Sequence, residues 1–540
     1  MNVSTYVPLG AEGIIVRVEV DIRRGIPGID ITGLAEGAVR EARERVRASF
    51  RNSGFEFPLD RILINLAPAG VRKDGASLDL AIALAVMAEG GQVPPQGNIM
   101  VLGELELSGR VRPVRGVLAA ISSGIEADIR EFIVPLENAN EAAVLAELSY
   151  SQYRENKFPE VRFFAAATLA ETVHALKIRA ESGKLPDNGL GGNTAESSSD
   201  FFAGDFSEVK GQKRYKRALE IAAAGGHNLL VYGIPGSGKT MLARRFPSIQ
   251  PPLLLEEAVE VTKLHSIAGQ INTKNGGALI RNPPFRSPHH SASTEGILGG
   301  GKFVRPGEIS LAHYGTLFLD EAPLFKSPVL QSLREPMEDR VITIVRAEGP
   351  LLLPADFQLL LAANSCPCGR FAVNDDEASS DALGDTGCLC SPDEIRRYWR
   401  KLGGPLLDRI ELRVPVFSPG ILVPEGSNEE KSSDIRRRIN TAVKIQRERF
   451  SGTGTRRNNR MSWEQIEKFC FLKDKAKDAF SIAASKLSLS GRACHGVLKI
   501  ARNIADLEEK ETIDTMHILE AVQHRRHGDD PYDIFTAGSL

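Results

Sequence analysis

A phosphate-binding loop is the feature that most constrains this chain. Residues 233–240 read GIPGSGKT and fit the pattern G-x-x-x-x-G-K-[ST] at every fixed position. The apolar run 228–232 before the loop indicates a buried strand, and residues 241–246 after it indicate a helix, which is the strand–loop–helix setting that this motif requires. The sequence therefore predicts a nucleotide-binding α/β core built around this loop.

The residue types of the loop suit a triphosphate. The glycines let the backbone curl so that its N–H groups and the helix N-terminus face the phosphates. A lysine adds a point charge and a threonine hydroxyl binds Mg²⁺. The residues predicted to contact ATP are Gly233, Gly236, Ser237, Gly238, Lys239 and Thr240.

A second motif supplies the rest of a hydrolytic site. Residues 316–321 read TLFLDE, an apolar strand that ends in two carboxylates. We expect Asp320 to hold Mg²⁺ together with Thr240, and Glu321 to polarise the attacking water. A strand that merely ended in a solvated turn would show one acid as often as two. The two motifs together predict ATP hydrolysis.

The length of the chain and its charge limit the remaining possibilities. A chain of 540 residues is too long for one core and predicts two to four domains. Lys and Arg number 67 against 69 Asp and Glu, so any affinity for nucleic acid must come from local patches. The first residues show no signal pattern, and the longest nearly apolar run, 78–87, is far too short to span a membrane. We expect a soluble, cytoplasmic protein with no membrane partner.

Residues 1–178 form a first α/β unit, with strands near 13–20 and 61–66 and helices near 36–50 and 77–88. Within this unit the segments 73–79 (KDGASLD), 103–113 and 132–138 resemble the proteolytic domain of Lon-type proteases, and Ser77 matches the family's nucleophile. The lysine that activates this serine in the family has no counterpart, since no lysine stands between Arg110 and Glu131. A serine without a base is a poor nucleophile. The resemblance therefore implies a degenerate domain without protease activity, in which we expect Ser77 to cap the following helix.

The order of the remaining segments follows from composition. Residues 179–205 are a polar linker and 206–417 the nucleotide-binding core, while a second linker covers 418–433. A helical lid follows over 434–526, and residues 527–540 form a tail.

Four clustered cysteines point to a metal. Two C-x-C pairs lie in a polar insert at 364–391, whose middle part, 371–387, is acidic. Four thiolates are enough for a closed tetrahedral zinc site, although buried free cysteines are the alternative. The predicted ligands are Cys366, Cys368, Cys388 and Cys390.

Three segments between the two nucleotide motifs identify a family. Residues 282–291 (NPPFRSPHHS), 299–308 (GGGKFVRPGE) and 309–315 closely resemble AAA+ ATPases of the magnesium-chelatase-like group, specifically the ComM/YifB type of bacterial competence protein. The resemblance runs from the first residues to about 526. It implies a hexameric ring that moves DNA by branch migration during natural transformation. The alternative is a chelatase-type motor that remodels a protein partner. The pair His289–His290, beside a proline, is weak as a metal site and equally suits a solvated loop.

The resemblance also assigns roles to residues outside the two motifs. The predicted hairpin at 341–353 corresponds to one that points into the ring pore, so Arg346 is a candidate DNA contact, with a solvated turn arginine as the equal alternative. Lys302 and Arg305 are further DNA candidates. Asn364 stands where AAA+ proteins position the water or the γ-phosphate.

Two arginines complete the predicted catalytic set. Arg409, in the segment GPLLDRI, matches the arginine that reaches the nucleotide of the next subunit; the alternative is a surface ion pair with Asp408 or Glu411. Arg492 matches the sensor-2 arginine that contacts the γ-phosphate from the lid, although Gly491 stands where the family usually has alanine. The stretch 434–460 holds nine Arg or Lys against two acids, which suits either a solvated helix face or a track for DNA phosphates.

Overall fold

The computed structural model describes residues 2–33, 37–70, 73, 76–94, 97–145, 161–186, 204–271, 279–302, 304–346, 349–371, 388–416 and 429–525. The strands are β1 Asn2–Leu9, β2 Glu12–Arg23, β3 Gly28–Thr32, β4 Arg61–Ala67, β5 Ile99–Val101, β6 Glu104–Leu105, β7 Val111–Arg112, β8 Glu131–Pro135, β9 Arg162–Ala166, β10 Leu229–Gly233, β11 Phe285–Arg286, β12 Gly299–Gly300, β13 Arg305–Pro306, β14 Thr316–Leu319, β15 Val341–Arg346, β16 Gly349–Pro354, β17 Gln358–Asn364 and β18 Leu412–Val416. The helices are α1 Gly37–Asn52, α2 Asp79–Glu89, α3 Val117–Glu126, α4 Leu169–Ser182, α5 Lys213–Gly225, α6 Lys239–Arg245, α7 Leu255–Ala268, α8 Thr294–Leu298, α9 Glu308–Leu311, α10 Ser327–Ser332, α11 Arg334–Asp339, α12 Pro392–Arg400, α13 Gly404–Leu407, α14 Ser432–Arg449, α15 Trp463–Phe469, α16 Asp474–Lys486, α17 Gly491–Leu507 and α18 Thr515–Gln523.

The first unit is a mixed sheet with helices against it. Its seven strands run in the order β3-β4-β2-β1-β5-β8-β9. The pairs β1–β2 and β2–β4 are antiparallel, and the other neighbours are parallel. Alternate residues of β2, such as Val16, Val18 and Val20, are buried, which is the period-2 pattern of a strand with one face on a core. Helix α2 is buried from Asp79 through Met87 and fills the centre of this unit.

The second sheet positions the nucleotide motifs. Its five strands are parallel, in the order β11-β14-β17-β10-β18. Every residue of β10 and of β14 is buried, which is expected of parallel strands covered on both faces. Because all five strands point the same way, the loops that follow β10, β14 and β17 meet at one edge of the sheet. The α/β fold predicted from the sequence is confirmed.

The C-terminal region is helical. Helix α17 is its centre, with Val497, Ile500, Ala501 and Ile504 completely buried. These side chains share one apolar cluster with residues of α5, α14 and β10, so the helical region packs directly on the core. Ser490 caps α17, its hydroxyl accepting from the N–H of Ala493 at 3.2 Å, so Gly491 starts a well-capped helix.

The first unit docks on the core through α3 and α7. The N–H of Gly116, just before α3, donates to the carbonyl of Ser266 at 3.2 Å. Ile267 joins the apolar cluster of α3, and the hydroxyl of Ser266 donates to the buried carboxyl of Glu141. Burial raises the pKa of that carboxyl. The first turn of α3 is thus an interface with the core.

Two local predictions differ from the structure. Ser77 lies inside a 3₁₀ turn, Ala76–Leu78, and the N-cap residue of α2 is Leu78, without a side-chain cap, so the predicted capping role of Ser77 is wrong. The sequence of residues 328–339, after Asp320 and Glu321, predicts a single helix, whereas the structure has two helices, α10 and α11, that meet at Leu333.

Candidate nucleotide and metal sites

The phosphate loop lies at the carboxyl end of β10, which runs between β17 and β18. Gly233 ends β10, and a Cβ there would meet the carbonyl oxygen of Val416 at 2.1 Å, so only glycine fits beside β18. Gly236 and Gly238 have φ of 78° and 86°, which lets the loop curl. Helix α6 begins at Lys239, so its N-terminus faces the space enclosed by the loop.

The lysine of the loop lies across the site. Its ammonium donates to the carbonyls of Gly233 and Ile234 at 2.9 and 2.7 Å. Burial lowers the pKa of Lys239 to about 8, and the carboxylates of Asp320 and Glu321 oppose that shift. The geometry and the charges therefore place Lys239 between the loop and the two carboxylates of the second motif.

The second motif follows β14 at the same edge. The carboxylate of Asp320 accepts from the N–H of Glu321 at 3.0 Å. Glu321 has φ of 50°, an uncommon left-handed conformation for this residue type, and its side chain is exposed. Asn364 ends β17, in register with Gly233, and its N–H donates to the hydroxyl of Tyr398 at 3.3 Å. The structure thus brings together the loop, Asp320, Glu321 and Asn364.

Two residues beside the loop were not predicted. Gln212 has φ of 53°, and its amide donates to the carbonyl of Ser237 at 3.0 Å. The hydroxyl of Tyr215, buried on α5, donates to the carbonyl of Lys239 at 3.3 Å. Gln212 lies just before α5 and Tyr215 lies on it, so both precede β10 in the sequence. The sequence pattern of the phosphate loop gives no signal for either residue. They hold the backbone of the loop and of the first residue of α6.

The two predicted arginines share one carboxylate. Arg409 and Arg492 contact the same oxygen of Glu338, Oε1, at 2.7 and 2.5 Å. Arg409 is also held by the carbonyl of Pro405 at 2.7 Å. Its side chain is 13% exposed, against 49% for Arg492. Arg409 pairs with neither Asp408 nor Glu411, the partners of the alternative interpretation.

This pair of arginines lies at the other edge of the sheet. Strands β10 and β18 are parallel, with Leu229 opposite Leu412 and Gly233 opposite Val416. Arg409 precedes Leu412, so it lies at the amino edge, while the phosphate loop follows the carboxyl edge. Four residues of strand separate the two edges by about 13 Å before the loops are counted. The structure therefore does not bring Arg409 or Arg492 to the phosphate loop of their own chain.

The four cysteines converge. Cys366 is buried, Cys388 and Cys390 are half-buried and Cys368 is exposed. Their sulfur atoms all lie within 4.8 Å of one another, and Sγ of Cys366 is 3.3 Å from that of Cys368 and 3.7 Å from that of Cys388. A tetrahedral zinc with Zn–S bonds of about 2.3 Å separates its sulfurs by about 3.8 Å. The donor set and its spacing therefore fit zinc, and within the described ranges no other group of metal-binding side chains forms, the pair His289–His290 included.

Comparison with known proteins places the chain in a family. The family profile described as magnesium chelatase, subunit ChlI, matches residues 205–420. Two further profiles, described as subunit ChlI of Mg-chelatase and as the ChlI C-terminal part, match residues 18–138 and 429–525. The YifB protein of Salmonella typhimurium is 38% identical over 527 residues, which cover 97% of this chain and 96% of that protein. The chain belongs to the magnesium-chelatase-like family of ComM/YifB type.

Other relatives agree with this assignment. The competence protein ComM of Haemophilus influenzae is 38% identical over 528 residues, which cover 96% of both chains. A Lon protease of Geobacter metallireducens is 26% identical over 140 residues, 25% of this chain and 17% of the protease. The predicted family and the Lon-like character of the first unit are confirmed. Membership in an AAA+ family indicates an ATPase that uses ATP and Mg²⁺.

Two short hairpins of this ComM/YifB-type chain carry the DNA candidates. Strands β12 and β13 form one hairpin, with Lys302 and Arg305 exposed. Strands β15 and β16 form the predicted second hairpin. The guanidinium of Arg346 donates to the carbonyl of Lys302 at 2.8 Å and to the carbonyl of Gly301. Arg346 therefore joins the two hairpins, which neither interpretation of this residue had foreseen.

Several arginines of the basic stretch 434–460 in the lid form ion pairs with acidic side chains of the same chain. Arg438 binds Glu220 and Glu430, and Arg449 binds Asp506. The guanidinium groups of Arg456 and Arg460 bind carboxylates of the core. Arg438, Arg456 and Arg460 thus attach the lid to the core, and Arg449 binds within the lid. The other basic residues of the stretch include Arg437, Lys444 and Arg447, which are exposed as on a solvated face. In the described part of the chain, no helix combines the length and apolar composition needed to cross a membrane.

Proposed function

We propose that this chain is an ATP-driven motor that works as a hexameric ring on DNA and promotes branch migration of recombination intermediates. In this proposal the phosphate loop binds ATP, Thr240 and Asp320 hold Mg²⁺, and Glu321 and Asn364 position the attacking water. Arg409 and Arg492 act on the nucleotide of the neighbouring subunit. The protein is cytoplasmic and does not act as a protease.

The observation that carries the proposal is the distance between the phosphate loop and the two arginines. They lie at opposite edges of one parallel sheet, and both arginines meet at Glu338. A cation that stabilises the transferring phosphoryl group must touch it. A ring of chains that places the amino edge of one subunit against the loop of the next meets this requirement.

The action on DNA is supported by the two hairpins and by the relatives. Lys302 and Arg305 are exposed on one hairpin, and Arg346 fixes it to the other. A small number of basic side chains that repeat around a ring provides a local positive surface without a basic chain overall. One relative at 38% identity carries the name competence protein.

The deciding experiment uses a synthetic four-way DNA junction. We expect the purified protein to convert the junction into duplex products only with ATP and Mg²⁺, and junction DNA to stimulate its ATPase activity. Glu321→Gln should bind ATP and the junction without conversion, whereas Lys239→Ala should fail to bind ATP. ATPase activity that no DNA structure stimulates would contradict the proposal and favour a motor that remodels a protein partner.

We further propose that the four cysteines hold one zinc ion. Zinc would cross-link the segment before the insert to the segment after it, and the four thiolates close its coordination shell. Metal analysis should find about one zinc per chain, lost in the double variant Cys366→Ser, Cys388→Ser. A natively purified chain without zinc would refute the site.

A further inference from the structure

The four-cysteine cluster lies directly beside the nucleotide site. Strand β17 ends at Asn364, which lies beside Gly233 at the start of the phosphate loop. Cys366 follows two residues later, and the chain turns back at once, since the N–H of Gly369 donates to the carbonyl of Cys366 at 3.0 Å. This turn brings Gly369 against Pro235, the third residue of the loop.

The contact between Gly369 and Pro235 leaves no room for a side chain at residue 369. Gly369 has φ of 76°, and a Cβ there would lie 2.7 Å from Cγ and 3.0 Å from Cδ of Pro235. A proline ring is tied to the backbone at both ends, so it cannot rotate away as a long side chain would. A displacement of Gly369 toward the loop would therefore press on Pro235 and, through its ring, on the backbone of the phosphate loop.

Helix α12 fixes the cluster from the other side. The indole N–H of Trp399 donates to the carbonyl of Ser365 at 3.0 Å, and the hydroxyl of Tyr398 accepts from the N–H of Asn364. Trp399 also packs edge-on against Tyr232 of β10, with ring centroids 5.5 Å apart. The turn that carries Cys366 and Cys368 is thus held between α12 and the phosphate loop.

We propose that metal binding by the four cysteines fixes the phosphate loop in its nucleotide-binding form, so that the two sites are coupled through the contact of Gly369 with Pro235. This inference rests on the proposed zinc site. Cys388 and Cys390 reach the turn only across the insert, and metal coordination is what ties such separate segments into one structure. Coupling of this kind is reciprocal. Nucleotide must therefore strengthen metal binding by the same factor by which the metal strengthens nucleotide binding.

The first test measures both directions of the coupling. ADP affinity is measured by titration of a fluorescent ADP analogue into zinc-loaded and chelator-treated protein, with circular dichroism to verify the fold. Zinc affinity is measured by competition with a chromogenic chelator, with and without saturating ADP. We expect removal of zinc to weaken ADP binding about tenfold, and ADP to strengthen zinc binding by the same factor. ADP should not protect the zinc of Lys239→Ala.

The second test uses a matched pair of glycines. Gly452 has φ of 75°, almost that of Gly369, but nothing lies within 4 Å of a Cβ placed there. Alanine therefore strains both backbones alike and presses on the phosphate loop only at residue 369. We expect Gly369→Ala to keep its zinc and bind ADP about tenfold more weakly, and Gly452→Ala to change neither.

The outcomes separate the two proposals. A zinc-containing chain whose ADP affinity is the same with and without the metal would overturn the coupling and leave the zinc site intact. Equal ADP affinities for Gly369→Ala and Gly452→Ala would also overturn it. A purified chain without zinc would refute the zinc site and the coupling together.

Discussion

Lys239 is a residue whose environment changes its chemistry. Its ammonium is buried against two loop carbonyls, and its pKa is lowered to about 8. A bound phosphate raises that pKa again, because a nearby anion favours the charged form. We therefore expect the binding of nucleotide to take up protons near and above pH 8, and the affinity to fall as the pH rises through this value.

This proton uptake can be measured by calorimetry. At pH 8.5 a lysine with a pKa near 8 is mostly neutral, so we expect ADP binding to take up about 0.7 proton per chain. The observed binding enthalpy should then differ between buffers of high and low ionisation enthalpy. Lys239→Arg stays charged at this pH, and any binding it retains should take up no proton. Equal uptake in both proteins would assign the proton to another group.

Glu338 joins the two arginines that we propose to act on the nucleotide of the neighbouring subunit, while Asp408 also binds Arg492 at 3.4 Å. Glu338 is bound by Arg409 and Arg492 at one oxygen, and the Arg409 side chain lowers the pKa of this carboxyl. We expect Glu338→Gln to reduce kcat about tenfold, because two guanidinium groups lose their common anchor. ADP affinity should stay unchanged, since the phosphate loop lies at the other edge of the sheet.

The same helix offers a control for this variant. Glu335 is exposed on α11 and forms no ion pair among the described residues. Glu335→Gln should therefore have the kcat of the natural chain. An unchanged kcat of Glu338→Gln would mean that the arginines do not need this carboxylate. A higher kcat would mean that the carboxylate holds the arginines away from the neighbouring nucleotide.

At the scale of elements, the two hairpins act as one unit because Arg346 bonds to the backbone of the β12–β13 turn. A lysine keeps the charge of arginine but lacks the planar fork that reaches two carbonyls. We expect Arg346→Lys to lose DNA-stimulated ATPase activity as fully as Arg346→Ala, with basal activity retained in both. Rescue by lysine would mean that Arg346 serves DNA as a simple positive charge.

The elements also show what can be predicted from the sequence. The strands and helices around the phosphate loop were predicted to within one or two residues, because apolar runs and loop residues are local signals. The break at Leu333 and the 3₁₀ turn that contains Ser77 were not, because packing overrides helical periodicity there. The roles that we propose for Glu338 and Gly369 could not be predicted either, since their partners are far away in sequence and only the fold brings them together.

At the scale of the whole molecule, the proposed ring makes hydrolysis depend on assembly, because Arg409 and the phosphate loop of one chain lie at opposite edges of the sheet. We expect Arg409→Ala to bind ATP normally and to lose on the order of a thousandfold in turnover. Mixed with Lys239→Ala, it should regain activity, because some interfaces then pair an intact loop with an intact arginine. The measurement is ATPase activity across a series of mixing ratios. An inactive mixture, with mixed rings shown by mass measurement, would mean that Arg409 acts within its own chain.

The docking of α3 on α7 has a consequence for any attempt to restore proteolysis. A base for Ser77 belongs, by resemblance, in the first turn of α3, where Val117 and Leu118 are completely buried and the N–H of Gly116 binds Ser266 of the core. A lysine introduced there would have to bury its ammonium, which costs several kcal/mol unless the charge is paired. The acid at this turn, the buried carboxyl of Glu141, already accepts from the N–H of Leu118 and from the hydroxyl of Ser266. We expect such a lysine to weaken the contact between the first unit and the core. We therefore do not expect one substitution to create a protease site in this unit, because the same turn of α3 joins the first unit to the core.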